Sequence, residues 1–409
     1  MPKRAPIAVG LDVGTYKVGV VVAELTDNGP EIVGIGTAAS KGLNKGVVTN
    51  IEVTVKSIRR AVEEAELMAG CEVRSVVVGS AGNHIKGVNS HGVVAVKNRE
   101  VGPGDVERVL DAARAVALPM ERQILHVLPQ EFIVDDQEGI KEPLGMAGVR
   151  LEARVHIVTG TISSGQNLIK CCNRAGLHVR DVLAGPLAAA EAVLTPEERE
   201  LGVALIEIGG GTTDVVVIQS GAVRHTAVLG VGGCHVTNDL AAALRTPFAE
   251  AERLKQRHGS AFALAAPPHQ TIEVAGVGGR APRNLSRRTL AEIIELRAEE
   301  TLRLVRRELQ RAGCDQILTS GIVLTGGGAV LERMVQLAER VFRVPVRLGV
   351  PLHLNGLVDV VASPMYSTAV GLVLHGLRQT SQASTAREGV LGQLEVVRGR
   401  MMGWLKEVF

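Results

Sequence analysis

Two short glycine-rich stretches contain the residue types that bind a polyphosphate. They are "LDVGTYKVGV" at 11–20 and "IEIGGGTTDV" at 206–215. Glycine lets backbone N–H groups approach phosphate oxygens, and threonine hydroxyls and a lysine ammonium add further donors and positive charge. The residues that we expect to contact a bound nucleotide there are Asp12, Gly14, Thr15, Tyr16, Lys17, Glu207, Gly209, Gly210, Gly211, Thr212, Thr213 and Asp214.

Each stretch also carries an aspartate that could hold a metal ion. Magnesium prefers oxygen ligands and keeps several of its waters, so it needs few protein side chains. We therefore expect Asp12 and Asp214, one from each stretch, to hold Mg²⁺ beside the phosphates.

A third glycine turn and one charged pair complete the predicted site. Gly326, Gly327 and Gly328 follow an apolar run and could form a flat wall for a base. Glu252 and Lys255 lie three residues apart on a predicted helix and therefore share a face. They are expected to reach a ribose or base, and the alternative is a solvated ion pair.

The elements around the first two turns limit which nucleotide fold they can belong to. Each turn lies between two β-branched runs, which predicts strand, turn and strand. Walker A and dinucleotide-binding turns lead into a helix instead, so both are excluded. One such turn alone would be a plain hairpin with an acidic residue. Two copies about half the chain apart indicate a duplicated domain with a cleft between its halves.

Composition excludes several other classes of protein. The chain has 409 residues, of which 46% are hydrophobic, and its formal net charge of +2 does not favour nucleic acid as a partner. Its five cysteines show no C-x-x-C spacing, which argues against a disulfide framework or a zinc site and fits a reducing cytoplasm. Asp12 interrupts the first apolar run too early for a signal peptide, and no uncharged run is long enough for a spanning helix.

Longer motifs resemble the FtsA family of bacterial cell-division proteins, within the superfamily of actin and the DnaK-type chaperone ATPases. They include "LHVLPQEFIVDDQEGIKEPLGMAGVRLEARVHIVTG", "LTPEERELGVALIEIGGGTTDVVV", "VGGRAPRNLSRRTLAEIIE" and "PMYSTAVGLVLHG". The resemblance covers nearly the whole chain. It implies an α/β fold: an actin-like two-lobed ATPase fold from a duplicated domain, with an inserted small α+β subdomain in the first lobe.

The resemblance also implies a division into domains. The expected parts are 1–83 with 163–200 as the core of the first lobe, 84–162 as the inserted subdomain, 201–240 with 316–377 as the core of the second lobe, 241–315 as its outer subdomain, 378–389 as a flexible linker, and 390–409 as an amphipathic membrane-targeting helix.

The function that the resemblance implies is that of a membrane-associated filament. It implies ATP with magnesium in the cleft, self-association into filaments, and binding of the C-terminal peptide of FtsZ, which tethers the FtsZ ring to the cytoplasmic face of the membrane and recruits later division proteins. One alternative is an active kinase or ATPase of the same superfamily, for which Glu131 and Asp135 are the candidate acids. A second is a pilus-assembly adaptor of similar fold.

Two departures from the hydrolytic members of the superfamily predict slow or absent hydrolysis. Glu207 stands where the chaperone ATPases have aspartate, and Gly185 stands where they have the glutamate that positions the attacking water. Glycine can neither orient nor deprotonate water. Glu191 is a possible substitute about two helical turns further on.

The C-terminal segment has the pattern of a helix that lies on a membrane surface. At 100° per residue its large apolar side chains fall on one face, which also carries the chain's one tryptophan. The alternatives are a helix that docks back on the protein or self-associates. The residues expected to contact the membrane are Leu391, Leu394, Val397, Met401, Trp404, Leu405 and Val408.

An arginine-rich stretch near 280–297 is the predicted partner surface. Charge runs are usually solvated faces, but the family binds the acidic-apolar FtsZ tail next to this helix. Arg287, Arg288 and Arg297 are therefore the expected contacts of a salt-sensitive peptide site.

Overall fold

The computed structural model describes residues 6–388, except 268, 280 and 353. Its strands are β1 (Ile7–Val13), β2 (Lys17–Thr26), β3 (Gly29–Ala39), β4 (Leu43–Asn44), β5 (Val47–Val48), β6 (Ser75–Ser80), β7 (Lys86–Ala95), β8 (Arg122–Val134), β9 (Gln137–Ile140), β10 (Arg150–Thr161), β11 (His178–Ala184), β12 (Val203–Ile208), β13 (Thr213–Gln219), β14 (Ala222–Leu229), β15 (Thr271–Val274), β16 (Arg283–Ser286), β17 (Ile322–Thr325), β18 (Val346–Leu348) and β19 (Asn355–Gly356). Its helices are α1 (Ile51–Ala69), α2 (Pro103–Arg114), α3 (Ile162–Ala175), α4 (Gly185–Val193), α5 (Pro196–Leu201), α6 (Gly233–Leu244), α7 (Phe248–His258), α8 (Arg287–Arg311), α9 (Met334–Phe342), α10 (Val358–Val361) and α11 (Ser367–Glu388).

Two large sheets repeat one plan, as the paired glycine turns predicted. The first has the order β11-β6-β1-β2-β3-β19 and the second the order β14-β13-β12-β17-β18. In each, an antiparallel hairpin (β1–β2 or β12–β13) continues into a third antiparallel strand, and a parallel strand lies on its other side. The valine- and isoleucine-rich strands are buried because helices cover both faces.

The chain between β6 and α3 forms a separate four-stranded sheet with the order β7-β10-β8-β9, and α2 packs on one face. Leu151, Ala153, Val155 and Ile157 are fully buried on that face, because side chains alternate along β10. Val149, which continues the same spacing, is 60% exposed. It precedes β10 and its N–H bonds the Asp135 carboxylate, so it is not part of the ladder.

Helices α4 and α11 cross between the two large sheets with their backbones in contact. A Cβ added at Gly371 would lie 1.8 Å from the carbonyl oxygen of Ala188, so only glycine permits this approach. One continuous core includes side chains from both sheets, among them Ile32 and Leu205. The two lobes are therefore joined at the base of the cleft between them.

The prediction of a flexible linker at 378–389 is wrong for most of its length. Helix α11 continues to Glu388. The stretch 378–388 contains no glycine or proline, so nothing in it stops a helix that already has a nucleus in the fold. The predicted membrane helix at 390–409 lies outside the described residues. Within the described ones, no helix has the length and apolar character needed to cross a membrane.

Candidate nucleotide-binding site

A cavity of 560 Å³ lies where the three predicted glycine turns meet. This volume is within the range of about 300–1,000 Å³ that is usual for small-molecule sites. The cavity is lined by the turns after β1, β12 and β17 and by one face of α7. Every residue that the sequence placed at the nucleotide lines it except Thr213. The structure thus brings together residues more than 300 positions apart.

Thr213 has a structural role instead of the predicted ligand role. It is fully buried at the start of β13, and its hydroxyl donates to the backbone oxygen of Val231 at 2.8 Å. Side chains alternate along a strand, so Thr212 and Asp214 face the cavity while Thr213 points away. The prediction that Thr213 contacts the nucleotide is therefore wrong.

Two opposite charges at the cavity lack hydrogen-bond partners among the described residues. They are Lys17 Nζ and Asp214 Oδ1, both buried. Lys17 Nζ lies 4.0 Å from the centre of the Tyr366 ring, a cation–π contact, and it also feels the charges of Asp12 and Glu207 without a hydrogen bond to either. Buried polar groups are normally paired, so these two atoms point to a missing ligand. A polyphosphate with a divalent cation supplies a partner for each.

Three of the carboxyl groups that line the cavity, those of Asp12, Glu207 and Asp214, have pKa values above their usual range. Burial raises the pKa of Glu207 to about 8, and the neighbouring Asp214 charge adds to the shift. Burial raises the pKa of Asp214 to about 7, against a hydrogen bond from Thr212. Burial also raises the pKa of Asp12, opposed by the charge of Lys17. A bound cation would favour the charged forms of all three.

The side chains at the cavity fit a magnesium ion that is bound by one or two carboxylates and otherwise by phosphate oxygens and waters. Among the described residues, no group of three or more His, Cys, Asp or Glu side chains converges closely enough to hold a metal ion. Magnesium in nucleotide sites takes one or two carboxylates, phosphate oxygens and waters. Asp12 and Asp214 satisfy that requirement. Glu207 is engaged otherwise, since its carboxyl group accepts a hydrogen bond from the Thr368 hydroxyl.

The third glycine turn packs directly on the second. A Cβ at Gly326 would lie 2.6 Å from the backbone oxygen of Ile208, and one at Gly328 would lie 2.4 Å from Cγ2 of that residue. Gly326 also has a φ of 83°, which disfavours other residues. The three glycines line the cavity, and their role as a wall for a base stays a prediction.

Glu252 and Lys255 line the cavity and also pair with each other. Lys255 Nζ lies 2.8 Å from Glu252 Oε2 and 2.8 Å from the Thr237 hydroxyl. Burial of the Glu252 carboxyl raises its pKa, but the hydrogen bonds from Lys255 and Thr237 lower it more. The pKa of Glu252 is therefore lowered overall. The pair faces the cavity with its side chains only 15% and 11% exposed, so the alternative of a solvated ion pair is wrong, and contact with a ribose or base stays a prediction.

The position of the missing water-positioning acid also lies at the cavity. Gly185 begins α4, and a Cβ there would meet nothing closer than 3.6 Å, with Asp214 Oδ2 at 3.8 Å. Glu191, the possible substitute, lies beside the Arg378 guanidinium and does not line the cavity. Glu131 and Asp135 are also remote, bonded to Arg154 and to backbone N–H groups at 149–150. None of these four residues puts a carboxylate where a general base would stand.

Several cavity residues were not found by sequence reasoning. Gly232, Gly233 and Cys234 line it at the start of α6, and Thr368 lines it at the start of α11. The "GVGG" run at 230–233 was a usable signal, because adjacent glycines after a strand indicate close backbone approach. Gln256 lines the cavity too, one residue beyond Lys255. No local pattern marks Thr368 or Gln256.

The three arginines of the predicted peptide site do not form one free cluster. Arg287 Nη2 pairs with Glu332 at 2.5 Å, and Arg297 Nε pairs with Asp239 at 2.5 Å. Arg288 Nε is buried without a hydrogen-bond partner in the described part of the chain. Arg287 and Arg288 begin α8, and Arg297 lies about 14 Å further along its axis. Arg287 and Arg297 thus hold neighbouring elements together.

Comparison with known proteins identifies the family. A family model described as "Cell division protein FtsA" matches residues 204–371, and one described as "SHS2 domain inserted in FTSA" matches residues 82–159. A cell division protein FtsA of Pseudomonas aeruginosa is 54% identical over 374 residues, which cover 91% of this chain and 90% of the relative. The chain belongs to the FtsA family. An FtsA of Escherichia coli K12 is 42% identical over 98% of both chains.

Solved structures agree with FtsA membership in showing an actin-like fold. MreB 5 of Spiroplasma citri bound to AMPPNP superposes with a TM-score of 0.57 at 15% identity, covering 94% of this chain and 100% of that one. The PilM–PilN type IV pilus biogenesis complex matches with a TM-score of 0.64 at 16% identity, covering 90% of this chain and 98% of that one. At such identities the likeness concerns the fold alone. The division role follows from the FtsA relatives.

Proposed function

We propose that this chain is an ATP-binding, actin-like division protein that holds ATP and Mg²⁺ between its lobes. The observation that carries the proposal is the pair of buried, unpartnered groups Lys17 Nζ and Asp214 Oδ1 in a glycine-walled cavity. The Lys17 ammonium needs an anion as its partner, and the Asp214 carboxylate needs a cation. The MreB 5 structure with AMPPNP shows that this fold accepts such a ligand in a relative of low identity.

The proposed roles follow from the chemistry of each side chain. The backbone N–H groups of Gly210 and Gly211 and the hydroxyls of Thr15 and Thr212 would donate to phosphate oxygens, and Lys17 would neutralise their charge; the Gly209 N–H closes the turn on the Thr212 oxygen. Asp12 and Asp214 would hold magnesium, which would supply positive charge beside the phosphates. Glu252 and Lys255 face the ribose or base, and Gly326, Gly327 and Gly328 form the base's wall.

The bound ATP is hydrolysed slowly or not at all. Near Gly185 the cavity contains room but no carboxylate to orient water, and Glu207 is bonded to Thr368. Losing a general base typically costs about 10²–10⁴-fold in rate. The nucleotide then acts mainly as a ligand that sets the relation of the two lobes for polymerisation.

At the level of the cell, the protein polymerises and links the FtsZ ring to the cytoplasmic face of the membrane, where it recruits later division proteins. The segment 390–409 lies on the membrane surface, and the region of 287–297 binds the FtsZ C-terminal peptide. Family membership and the apolar face of that terminal segment support this proposal. Arg288 is the best candidate for direct peptide contact, since Arg287 and Arg297 are held by ion pairs.

A co-pelleting experiment tests the proposal. The full chain is mixed with vesicles containing anionic lipid, Mg-ATP and the FtsZ C-terminal peptide, and compared with a chain ending at 388 and with the variant Arg288→Glu. The full chain should carry the peptide into the pellet. The shortened chain should stay in solution, and the Arg288 variant should pellet with less peptide. Equal pelleting of the full and shortened chains would contradict the membrane role, and unchanged peptide binding would contradict the peptide site.

A further inference from the structure

One hydrogen bond joins the two lobes across the rim of the cavity. Gln256 Nε2 on α7 donates to the hydroxyl oxygen of Tyr16 at 3.1 Å. Tyr16 belongs to the turn between β1 and β2 of the first lobe, 240 residues away in sequence. Both residues line the cavity, and both are exposed, unlike the buried Asp214 at its floor. We call this Tyr16–Gln256 contact the rim bridge.

The second lobe holds its half of the rim bridge in a fixed orientation. The Gln256 amide nitrogen also donates to Glu252 Oε1 at 2.8 Å, and the other carboxylate oxygen of Glu252 accepts from Lys255 at 2.8 Å and from Thr237. An amide nitrogen has two donors, so one serves Glu252 and the other serves Tyr16. A flipped amide would turn its oxygen toward the carboxylate, which is unfavourable. Gln256 is therefore set as the donor.

In the first lobe, backbone hydrogen bonds fix the turn that carries Tyr16. The backbone oxygen of Tyr16 accepts from the Ser40 N–H at 3.0 Å, and the Gly14 N–H closes the turn on Lys17 at 3.1 Å. Across the cleft, a Cβ added at Gly210 would lie 2.8 Å from the Tyr16 Cβ. Tyr16 thus packs against the second lobe's glycine turn, and its hydroxyl group accepts a hydrogen bond from α7.

We propose that the rim bridge controls how fast a nucleotide enters and leaves the cleft. This inference rests on the proposed nucleotide binding. A hydrogen bond between protein atoms resists opening of the rim in both directions, so it lowers the association and dissociation rates together. A group that contacted the nucleotide itself would change the dissociation rate and the affinity instead. The rim bridge is therefore distinguishable from an ordinary binding contact.

The experiment measures both rate constants for tritium-labelled ADP with Mg²⁺ by rapid filtration, using the full chain and the variants Tyr16→Phe and Gln256→Ala. Tyr16→Phe keeps the ring and removes only the hydroxyl. Both rate constants should rise by roughly two- to tenfold, the range expected for one exposed hydrogen bond, and the rise in the association rate constant is the result that a lost nucleotide contact would not produce. Gln256→Ala also loses the bond to Glu252, so the double variant should match Gln256→Ala, because Tyr16→Phe then has no rim bridge left to remove. Gln310→Ala, an exposed glutamine on α8 outside the cavity lining, is the control and should change nothing.

The outcomes separate this inference from the proposed function. Unchanged rate constants in a Tyr16→Phe variant that binds ADP would overturn the rim bridge and leave nucleotide binding intact. A Kd weakened with an unchanged association rate would also overturn it, and would make Tyr16 a direct contact. If the unaltered chain binds no ADP, the proposed function fails. In that case amide hydrogen exchange still tests the rim bridge. Exchange of the Ser40 amide should then be faster in Tyr16→Phe, and equal protection would overturn the inference.

Discussion

At the scale of single residues, the site is defined by groups that the protein leaves unpaired. Lys17 has a cation–π neighbour but no hydrogen-bond acceptor, and burial lowers its pKa although Asp12 and Glu207 oppose the shift. Such an arrangement costs stability in the free protein. It is therefore best explained as an adaptation to a ligand that brings negative charge.

Replacing this lysine should separate binding from stability. In Lys17→Met the affinity for Mg-ATP should fall by about 10- to 150-fold, which corresponds to one hydrogen bond to a charged group of about 1.5–3 kcal/mol. The Tm without nucleotide should change little, because the substitution removes a buried ammonium but also leaves Asp12 and Glu207 without its opposite charge. Titration calorimetry and thermal unfolding measure the two effects. Lys56→Met, at an exposed position on α1, is the control, and an affinity loss equal to the control's would refute the assignment.

Gly185 offers a gain-of-function test. A Cβ at this position has no contact shorter than 3.6 Å, so a side chain fits. Gly185→Glu should raise the ATP hydrolysis rate at least about tenfold over Gly185→Ala, as expected if a water-orienting carboxylate is what the site lacks. Phosphate release under single-turnover conditions measures it. Equal rates for the two variants, both saturated with ATP, would mean that another feature limits hydrolysis.

At the scale of elements, the inserted subdomain is braced against the second lobe through β14. His156 on β10 bonds the Thr226 hydroxyl at 2.8 Å and the Asn89 side chain at 2.6 Å, and Gln130 donates to the Val223 oxygen at 2.8 Å. His126 on β8 accepts the N–H of Ala184, just before Gly185, at 3.0 Å. Both histidines therefore have structural roles on strands.

The brace depends on one glycine. A Cβ at Gly87 would lie 2.4 Å from the Thr226 hydroxyl oxygen and 2.6 Å from His156 Nε2. Gly87→Ala should therefore lower the free energy of unfolding by about 1–3 kcal/mol through overpacking. Gly104→Ala in α2 of the same subdomain meets no atom within 4 Å, and should raise the free energy by up to about 1 kcal/mol. Urea unfolding compares them, and equal stabilities would contradict the role of Gly87.

The buried histidines make stability depend on pH. Burial lowers the pKa values of His126 and His156 to about 4, from 6.5 in an unfolded chain. Between those values the unfolded chain binds more protons, so stability rises with pH from about 4 to 6.5 and levels off above that range. At pH 5 each histidine should lower stability by about 2 kcal/mol relative to pH 7.

A variant isolates one of these contributions. His126→Gln keeps an acceptor for the Ala184 N–H and should reduce the loss between pH 7 and pH 5 by about 2 kcal/mol. His178→Gln, at an exposed position that begins β11, should leave the loss as it is. Unfolding by urea at both pH values supplies the comparison. If both variants lose the same stability as the unaltered chain, His126 is not responsible.

The sequence predicted what local patterns encode and missed what distant residues create. The two hairpins and the meeting of the glycine turns each follow from a few neighbouring residues, and the structure contains them. The Thr368–Glu207 and Gln256–Tyr16 bonds join residues 161 and 240 positions apart, so no local signal marks them. Strand alternation also predicts that the Thr213 side chain points away from the cavity, opposite to Thr212 and Asp214. Its position within a run of phosphate-binding residue types masks that signal.

At the scale of the whole molecule, one helix connects the cleft to the C-terminal segment. Helix α11 begins beside the cavity, where Thr368 bonds Glu207, and runs for 22 residues, about 33 Å. Along the way His375 and Gln379 bond Asp181 at 2.9 and 2.6 Å. Most of the stretch expected to be a linker therefore belongs to the helix that begins at the cavity.

The central claim is that the cleft retains ATP without consuming it. The most direct measurement mixes the full chain with Mg-ATP labelled on the γ-phosphate, isolates the protein by rapid filtration, and follows both bound label and free phosphate over time. We predict about one ATP retained per chain, recovered as ATP after many minutes. Absence of retained label, or release of phosphate at about 1 s⁻¹ or faster as in ordinary enzymes, would contradict the account.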